Sequence, residues 1–510
     1  MMTRNKKKIT KEDPVDDYED TLPVSDESDD DNKPITEEII FPGLVLKSDY
    51  ILLKKIGYGN NAHVWMTYQI STKSYLAIKI QDSECYEDGC REVAIIRKIN
   101  TYAKQQKGKN IYCVKMLDYF VYEEDAKRRY VCSVYDLYAG SIYMVLDTGK
   151  HKYGLPIPVV KNITKQLLTA LVVLHNDLHI IHTDIKPENI LFKGTPNYHL
   201  KIIDLFTNSG FQQKYEQLII ACADNKKKLL EELEFLALES VKDICTLDEN
   251  INGNEEFIPD DSSDEDEFVE GEDDDFSDDD SDCDNGNILS TRRQSIDDLI
   301  EHLDYTEVHD LEVDGKYDFI SELNNRANGT TTDNKEVIDD TYILNCETAL
   351  TDFGNAYFYE KRTRNEIQDR RYRAPEIILD FNYGYACDIW SVACVVFELL
   401  TGFALFVPEA EPLTKDIHHL FLMEKMLGPL PMAMKKKSKR FRFLFDAKKN
   451  YRIKNVKDFN QIGIKERLMK QFLFSETDAI QINDFLLSAL KYNQTERASA
   501  KDLLKHPWLN

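Results

Sequence analysis

From Tyr50 onward the chain passes through short stretches rich in β-branched, aromatic and other apolar residues: Ile51–Ile56, Val64–Gln69, Tyr75–Ile80, Val114–Tyr122 and Tyr130–Asp136. Runs this short with this composition predict strands, and the apolar spacing around Arg91–Ile99 predicts one helix among them. A small, mostly antiparallel sheet with one helix is therefore expected. After Gly140 the period changes, because Val159–Leu174 places apolar residues at three- and four-residue steps ahead of a further short strand region at Asn189–Phe192. That predicts a second, α-rich part. From Phe211 to Ile244, the residues Leu218, Leu229, Leu233, Leu236 and Val241 can sit on helices, with Lys226–Lys228 between them.

Patterning is lost in two places. Residues 1–46 combine Lys6–Lys8 with the acidic run Asp26–Asp31 and few aromatics, which predicts a disordered tail. Residues 246–284 hold 20 Asp and Glu and no Lys or Arg. No ordinary core accommodates that, so a solvated spacer is expected, with ordered structure resuming near Thr341. The charge follows the same division: the whole chain carries −27, residues 246–345 carry −29 and residues 1–40 carry −7, which leaves a mildly basic body of about +9. The organisation read from this is a tail (1–46), a β-rich lobe (47–138), the first part of an α-rich lobe (139–204), a spacer that is partly helical and then acidic (205–345), and the rest of the α-rich lobe (346–510). No internal repeat is found.

Several classes drop out. The first ten residues are polar and basic with no apolar stretch behind them, unlike a secretory signal. The longest apolar run, Ile389–Leu400, contains Glu398 and falls short of the ~20 residues that span a bilayer, so no membrane segment is expected. Ten cysteines show no CxxC pair, which points to neither a zinc site nor a disulfide framework and fits a reducing cytosol or nucleus.

Three segments carry candidate chemistry. In Ile56-Gly57-Tyr58-Gly59-Asn60-Asn61-Ala62-His63-Val64, glycines in a strand–turn–strand let backbone amides approach phosphate oxygens, although Ala62 replaces the third glycine of GxGxxG and an ordinary hairpin turn reads equally well. Lys79 ends the strand containing Ala77 and Ile78, and Glu92, at the start of the following helix, is available to orient its ammonium onto phosphates; the alternative is an edge lysine with its amine in water. The third is Ile180-Ile181-His182-Thr183-Asp184-Ile185-Lys186-Pro187-Glu188-Asn189-Ile190-Leu191. Here Asp184 can accept the proton of an attacking hydroxyl, Lys186 can steady a transferred phosphoryl group, and Asn189 can hold a metal ion.

With these motifs the sequence resembles the eukaryotic protein kinase family. The matching residues are Lys79, His182–Asn189, Asp352-Phe353-Gly354, Ala374-Pro375-Glu376 and Asp388-Ile389-Trp390-Ser391, over roughly 47–200 and 346–510. The resemblance implies an α+β bilobal fold split by the acidic insert, with ATP and Mg²⁺ as cofactors. Asp352 joins Asn189 at the metal, Asp388 braces the catalytic loop, and Glu376 pairs with Arg497 as a strut. His182 and Phe353 stack with Ile96 as an internal spine. Val64, Ala77 and Leu191 surround adenine, and Tyr135 with Asp136–Tyr138 forms the lobe connection. Lys186, two residues after Asp184, is the serine/threonine pattern. A competing Asp204, in Ile202-Ile203-Asp204-Leu205-Phe206, lacks a following glycine and is assigned to the beginning of the insert.

Within the family, the phrase around Asp184, Phe353-Gly354-Asn355-Ala356, His506-Pro507-Trp508-Leu509-Asn510 and the long spacer resemble the SR-protein kinase branch of the CMGC group. This implies Arg/Ser-rich protein substrates, a cytoplasmic location with nuclear access, and activity without loop phosphorylation, since Thr183 replaces the Arg that often receives a loop phosphate. A monomer with no direct nucleic-acid or membrane partner is expected. Three departures stand against the branch pattern. Asp369 replaces a Thr and can either crowd Asp184 or pair with Lys186. His418 and Lys425 occupy acidic docking positions in a region, Gly402–Gln471, that resembles the branch's inserted element. Ala374-Pro375 is the general kinase form. A silent kinase-fold scaffold, or a kinase of another specificity such as Ser-Pro, remain the alternatives. Among minor signals, Lys435–Lys437 with Lys439, Arg440 and Arg442 reads as a solvated basic loop, a phosphate site or a nuclear-entry signal. Ser262, Ser263, Ser277, Ser281 and Ser295 sit in loose phosphorylation contexts, and the acidic spacer is either simply solvated, folded back onto the basic body as a pseudosubstrate mimic, or a tether for a basic partner.

Overall fold

The computed structural model describes residues 40–510 except 60–61, 107, 125–127, 148–150, 224, 248–342, 344, 362–366, 411–412 and 457–460. The spacer's acidic run, its serines and the tip residues Asn60 and Asn61 lie outside the described residues.

The first lobe is built on β1 (Val45–Leu46), β2 (Tyr50–Gly59), β3 (Ala62–Gln69) and β4 (Ser74–Gln81), then helix α1 (Tyr86–Gln105), then β5 (Met116–Glu123) and β6 (Arg129–Asp136). The six strands form one antiparallel sheet in the order β1-β2-β3-β4-β6-β5. Its short first strand corrects the boundary placed at residue 46. Leu46 is fully buried and the Gly43 amide donates to the Leu52 carbonyl at 2.7 Å, because Leu44-Val45-Leu46 is a short apolar run beside an open strand edge. Helix α1 is longer than the apolar spacing alone suggested, so Glu92 sits in its second turn, not at its start.

The second lobe begins with β7 (Tyr138–Ser141), α2 (Ile142–Asp147) and α3 (Ile157–Val172), the last running on into a π-turn at Val173–Asp177. Pro156 precedes the first turn of α3, where its fixed φ suits a helix start. The stretch Ile157–Asp177 is long and apolar enough to cross a membrane by composition, yet Val160, Ile163, Leu168 and Leu171 on it are fully buried in the lobe's core, which accounts for its hydropathy. Then come β8 (Ile180–Ile181) and β9 (Ile190–Lys193).

Helices α4 (Asn197–Asn208), α5 (Phe211–Ala221), α6 (Lys226–Ser240) and α7 (Lys242–Cys245) follow. They pack on the first lobe's sheet: Tyr198, Ile202, Phe206, Phe211, Leu233, Leu236 and Val241 share a core with Ile51, Leu53, Met66 and Tyr68. The Phe206 and Phe211 rings lie 4.9 and 5.9 Å from Tyr68. Each such side chain buried contributes about 1.5–3 kcal/mol. The boundary drawn at residue 204 is thereby corrected. It cuts α4, a helix that belongs wholly to this module, because Ile202 and Phe206 form one apolar face.

The chain returns beside the point where it left. In β10 (Thr348–Leu350), Thr348 pairs with Phe192 of β9, and Lys193 forms an ion pair with Glu347, 154 positions away. The Asn162 and Gln166 amides of α3 donate to the Cys346 carbonyl at 3.1 and 2.9 Å, and the Gln166 carbonyl oxygen accepts from the Thr348 amide at 2.7 Å. The whole insertion thus sits between two hydrogen-bonded strands, a site where extra length costs loop entropy and no core contact.

After β11 (Tyr357–Phe358), which pairs with β8, the lobe is completed by α8 (Pro375–Ile378), α9 (Ala386–Thr401), α10 (Lys415–Leu427), α11 (Met432–Lys437), α12 (Phe441–Leu444), the ribbon β12 (Phe445–Asp446) and β13 (Arg452–Ile453), α13 (Ile464–Lys470), α14 (Glu476–Ala489) and α15 (Ala500–Leu503). Helix α9 is buried from Cys387 to Thr401 and ends at Gly402, whose φ is +78°; a Cβ there would lie 2.0 Å from the Lys152 carbonyl oxygen, so only glycine fits.

Candidate active site

Lys79 lies in β4 between Val64 of β3 and Ser133 of β6, and its ammonium reaches across to α1. It donates to both carboxylate oxygens of Glu92, at 3.0 and 2.9 Å, and to Oδ1 of Asp352 at 2.8 Å. Burial works against the lysine's charge, but the Asp352 and Glu92 carboxylates outweigh it and hold its pKa above the ordinary value. The Lys79 charge in turn holds the Asp352 carboxyl down at about 2. Burial pushes the Glu92 carboxyl up, with Lys79 pulling the other way. Glu92 also accepts from the Phe353 amide at 3.2 Å, and the neighbouring Arg91 donates to the Gly354 carbonyl at 3.0 Å, so α1 holds the Asp352-Phe353-Gly354 turn from two successive residues.

Asp352 has φ +58°, a conformation that non-glycine residues rarely adopt and that turns its carboxylate toward Lys79. Asp204, the competing aspartate, is exposed on α4 among helices packed on the first lobe's sheet. The strand pair β9–β10 explains why: the residues after β10 take up the strand-following position that spacing alone gave to Asp204.

The loop between β8 and β9 is set by Asp388, which is fully buried at the start of α9. Its Oδ2 accepts from the His182 amide at 2.8 Å and lies 2.8 Å from His175 Nε2, while Oδ1 accepts from the Thr183 amide at 2.9 Å. Thr183 is buried at φ +67° and donates its hydroxyl to the Asn355 carbonyl at 2.6 Å. A β-branched residue at that φ is strained, and the Asp388 and Asn355 contacts hold it there. His182 packs edge-on to Phe353, with ring centroids 5.1 Å apart, in the same core as Ile96. Its Nε2 is 2.9 Å from the Thr351 carbonyl oxygen.

Asn189 donates from Nδ2 to the Asp184 carbonyl at 2.8 Å and to Asp184 Oδ2 at 3.0 Å, and Lys186 Nζ lies 3.3 Å from the same oxygen. Both side-chain contacts fall on Oδ2, which leaves Oδ1 to accept a proton. Burial disfavours the Lys186 charge, but Asp184, Asp369 and Glu188 overcome it and raise its pKa. Asp369 therefore acts on Lys186 through its field, while its carboxylate caps the turn Arg370–Tyr372 by accepting from the Arg371 amide at 3.1 Å. Glu376 and Arg497, both buried, form a two-point pair at 2.8 and 2.9 Å.

The glycine-loop residues Gly57, Tyr58 and Gly59 pair with Val64, His63 and Ala62, so the loop is a hairpin whose tip is 60–61. Tyr58 is exposed near that tip. Ile56 is half-buried against the core shared with α4–α7. Ala77 is buried opposite Tyr135, Leu191 and Tyr138 are half-buried, and Asp136 is exposed. The basic stretch read as a solvated loop is instead helical at Met432–Lys437, and its Lys435 is buried against Glu424 at 2.7 Å. Sequence reading passed over Arg91, Gln166 and Gln368. Gln368, buried at φ +70°, donates to the Cys387 carbonyl and to Ser391, and accepts from the Ala374 amide. An isolated glutamine offers no signal in one sequence, whereas Arg91 could have been suspected from its place beside Glu92.

A strand lysine paired to a helix glutamate, an aspartate–asparagine loop braced from below, and a glycine-containing turn between them define a phosphotransferase cleft of the two-lobed kinase type. The chain belongs to the protein kinase domain family, whose model matches residues 50–247 and 341–509. That match includes the α4–α7 module and omits the acidic run. The chain is 50% identical to serine/threonine-protein kinase L205 of Acanthamoeba polyphaga mimivirus, over 97% of this chain and 94% of that protein. It is 28% identical to protein kinase dsk1 of Schizosaccharomyces pombe, over 90% of this chain and 80% of that protein, and 28% identical to SRSF protein kinase 3 of Mus musculus, over 96% and 92%. It is a serine/threonine protein kinase related to the SR-protein kinases.

Proposed function

We propose that this kinase transfers the γ-phosphoryl group of Mg²⁺-bound ATP to serines in Arg/Ser-rich proteins. The observation that carries the catalytic part is the unbroken set of contacts from Glu92 through Lys79 and Asp352 on one side, and from Asp388 through the 182–189 loop to Asp184 on the other. Lys79, kept charged, would bind nucleotide phosphates. Asp184 would orient the substrate hydroxyl and take its proton at Oδ1. Lys186 would offset charge on the oxygens between donor and acceptor.

The donor set fits Mg²⁺. Asp352, held ionised, and the Asn189 side-chain oxygen are hard ligands, and Mg²⁺ commonly takes only one or two protein ligands alongside phosphates. The bound ion supplies charge neutralisation at the phosphates.

A preference for arginine is supported by carboxylates near Asp184. Burial pushes Glu188 up to about 7, and its Oε2 is buried without a partner among the described residues. Asp369 adds negative potential at Lys186, and Asp369 with Glu398 does so at Arg371 and Glu188. A substrate guanidinium bound beside Glu188 would draw it into its ionised form. The relatives named as SRSF protein kinases point the same way.

The test is transfer of labelled phosphate to an Arg-Ser repeat peptide, to its Lys-Ser counterpart and to a generic basic protein. With Asp184→Asn, kcat should fall by roughly 10²–10⁴ while ATP binding is kept. With Glu188→Gln, kcat/KM for the Arg peptide should fall about tenfold, and for the Lys peptide much less. Equal use of all three acceptors would refute the Arg/Ser reading, and no labelling by folded, ATP-binding protein would refute catalysis.

A further inference from the structure

Residues 432–455 carry ten Lys and Arg against one acid, Asp446, a net charge equal to the excess of about +9 on the whole body outside its two acidic segments. The structure gathers them on one unit. Helices α11 and α12 lead into the β12–β13 ribbon, the Lys454 amide donates to the Leu444 carbonyl at 3.0 Å, and Tyr451 of the ribbon lies under Lys436 at 4.8 Å and against Phe441 at 5.8 Å. Three of the cations are paired to the body: Lys435 to Glu424, Lys439 to Asp380, and Arg440 to Asp416, which also holds Arg370 of the turn after Asp369. Lys436, Lys437, Arg442, Lys448 and Lys449 are exposed and have no carboxylate partner among the described residues.

We propose that this surface is the intramolecular docking site of the acidic spacer of the same chain, residues 248–342. Charge complementarity argues for that occupant: the spacer carries the −29 that offsets the basic unit. Tethering argues for it too. The spacer is about 95 residues of the same chain, so it meets this surface at the effective concentration of a tethered partner, not at that of a free polyanion. The other lysine cluster, Lys226–Lys228, is nearer along the chain but is met by acids on its own helix, as in the Lys227–Glu231 pair at 3.6 Å. Docking cancels positive potential beside Arg370. That consequence rests on the arginine-rich substrate reading above, whereas the docking itself does not.

The experiment is carbodiimide coupling of carboxylates to lysines in the full chain, with peptide mapping. Spacer carboxylates should couple mainly to Lys436, Lys437, Lys448 and Lys449, and this should be lost in 1 M NaCl, where the Debye length is about 3 Å. In the variant Lys436→Glu/Lys437→Glu/Arg442→Glu, coupling at the retained Lys448 and Lys449 should fall several-fold, while coupling within the Lys227–Glu231 pair stays unchanged as a folding control. Coupling that favours Lys226–Lys228, or that follows lysine exposure over the whole body, would overturn the proposal. So would salt-sensitive binding of single-stranded RNA to the full chain that the triple variant abolishes, since the surface would then be free for nucleic acid. No readout involves catalysis, so failure here is distinct from failure of the kinase specificity.

Discussion

Replacing Arg497 by Met tests how the second lobe is held together. Arg497 is buried, lies over Trp390 at 5.1 Å, and donates to both oxygens of Glu376 and to the Ala386 and Lys491 carbonyls. Methionine fills much of the volume but leaves the Glu376 carboxylate, itself fully buried, without its counter-charge. Breaking a buried pair from one side costs about 3–5 kcal/mol. For roughly 350 described residues, an unfolding entropy of about 2.1 cal/mol/K per residue gives ~0.7 kcal/mol/K, so Tm should drop by about 4–7 °C. Adding Glu376→Gln should return part of that loss, because the orphaned charge goes with it, giving a coupling of at least about 1.5 kcal/mol in a double-mutant cycle. Differential scanning calorimetry of the four proteins is the assay. A single-mutant shift under about 1.5 °C, or two losses that simply add, would refute the view that the pair is a buried strut.

Two more outcomes follow from the site and the insert. Asp388→Asn replaces one acceptor oxygen by a donor amide facing donors, so loop stability should fall by about 1–3 kcal/mol, read as faster hydrogen exchange at the His182 and Thr183 amides, and kcat should drop with the KM for ATP little changed. On α4, burial pushes His199 down to about 4. The unfolded imidazole then binds a proton below about pH 6.5 when the folded one does not, so stability should be lost as pH falls from about 6.5 toward 4, by about 2 kcal/mol at pH 5. His199→Leu should flatten that window in urea titrations at pH 7.5 and 5.0, and an unchanged difference between the two pH values would remove His199 as the cause.

The elements themselves were legible in one sequence. The strands of the first lobe follow from short runs rich in β-branched and aromatic residues, and the helix α3 from apolar residues at three- and four-residue steps. The motif residues Lys79, Asp184, Asn189 and Asp352 were readable because each stands at a fixed offset within a short segment that has no apolar reason to contain it. Composition marked the acidic run, since no core tolerates so many unpaired charges. Tertiary structure alone decided which distant groups meet. That Asp352 and not Asp204 faces Lys79 depends on β9 pairing with β10 across the whole insertion. That α4–α7 cover the first lobe's sheet depends on apolar faces too short to name their partner in advance. Asp369, ambiguous as a letter, became a turn cap that also biases Lys186, and the basic stretch became a folded unit with one lysine buried on Glu424. The reason is common to all four. Periodicity and offset are local properties of a chain, whereas a charge's partner and an apolar face's cover are fixed only when segments far apart in sequence compete for the same space and the same dielectric.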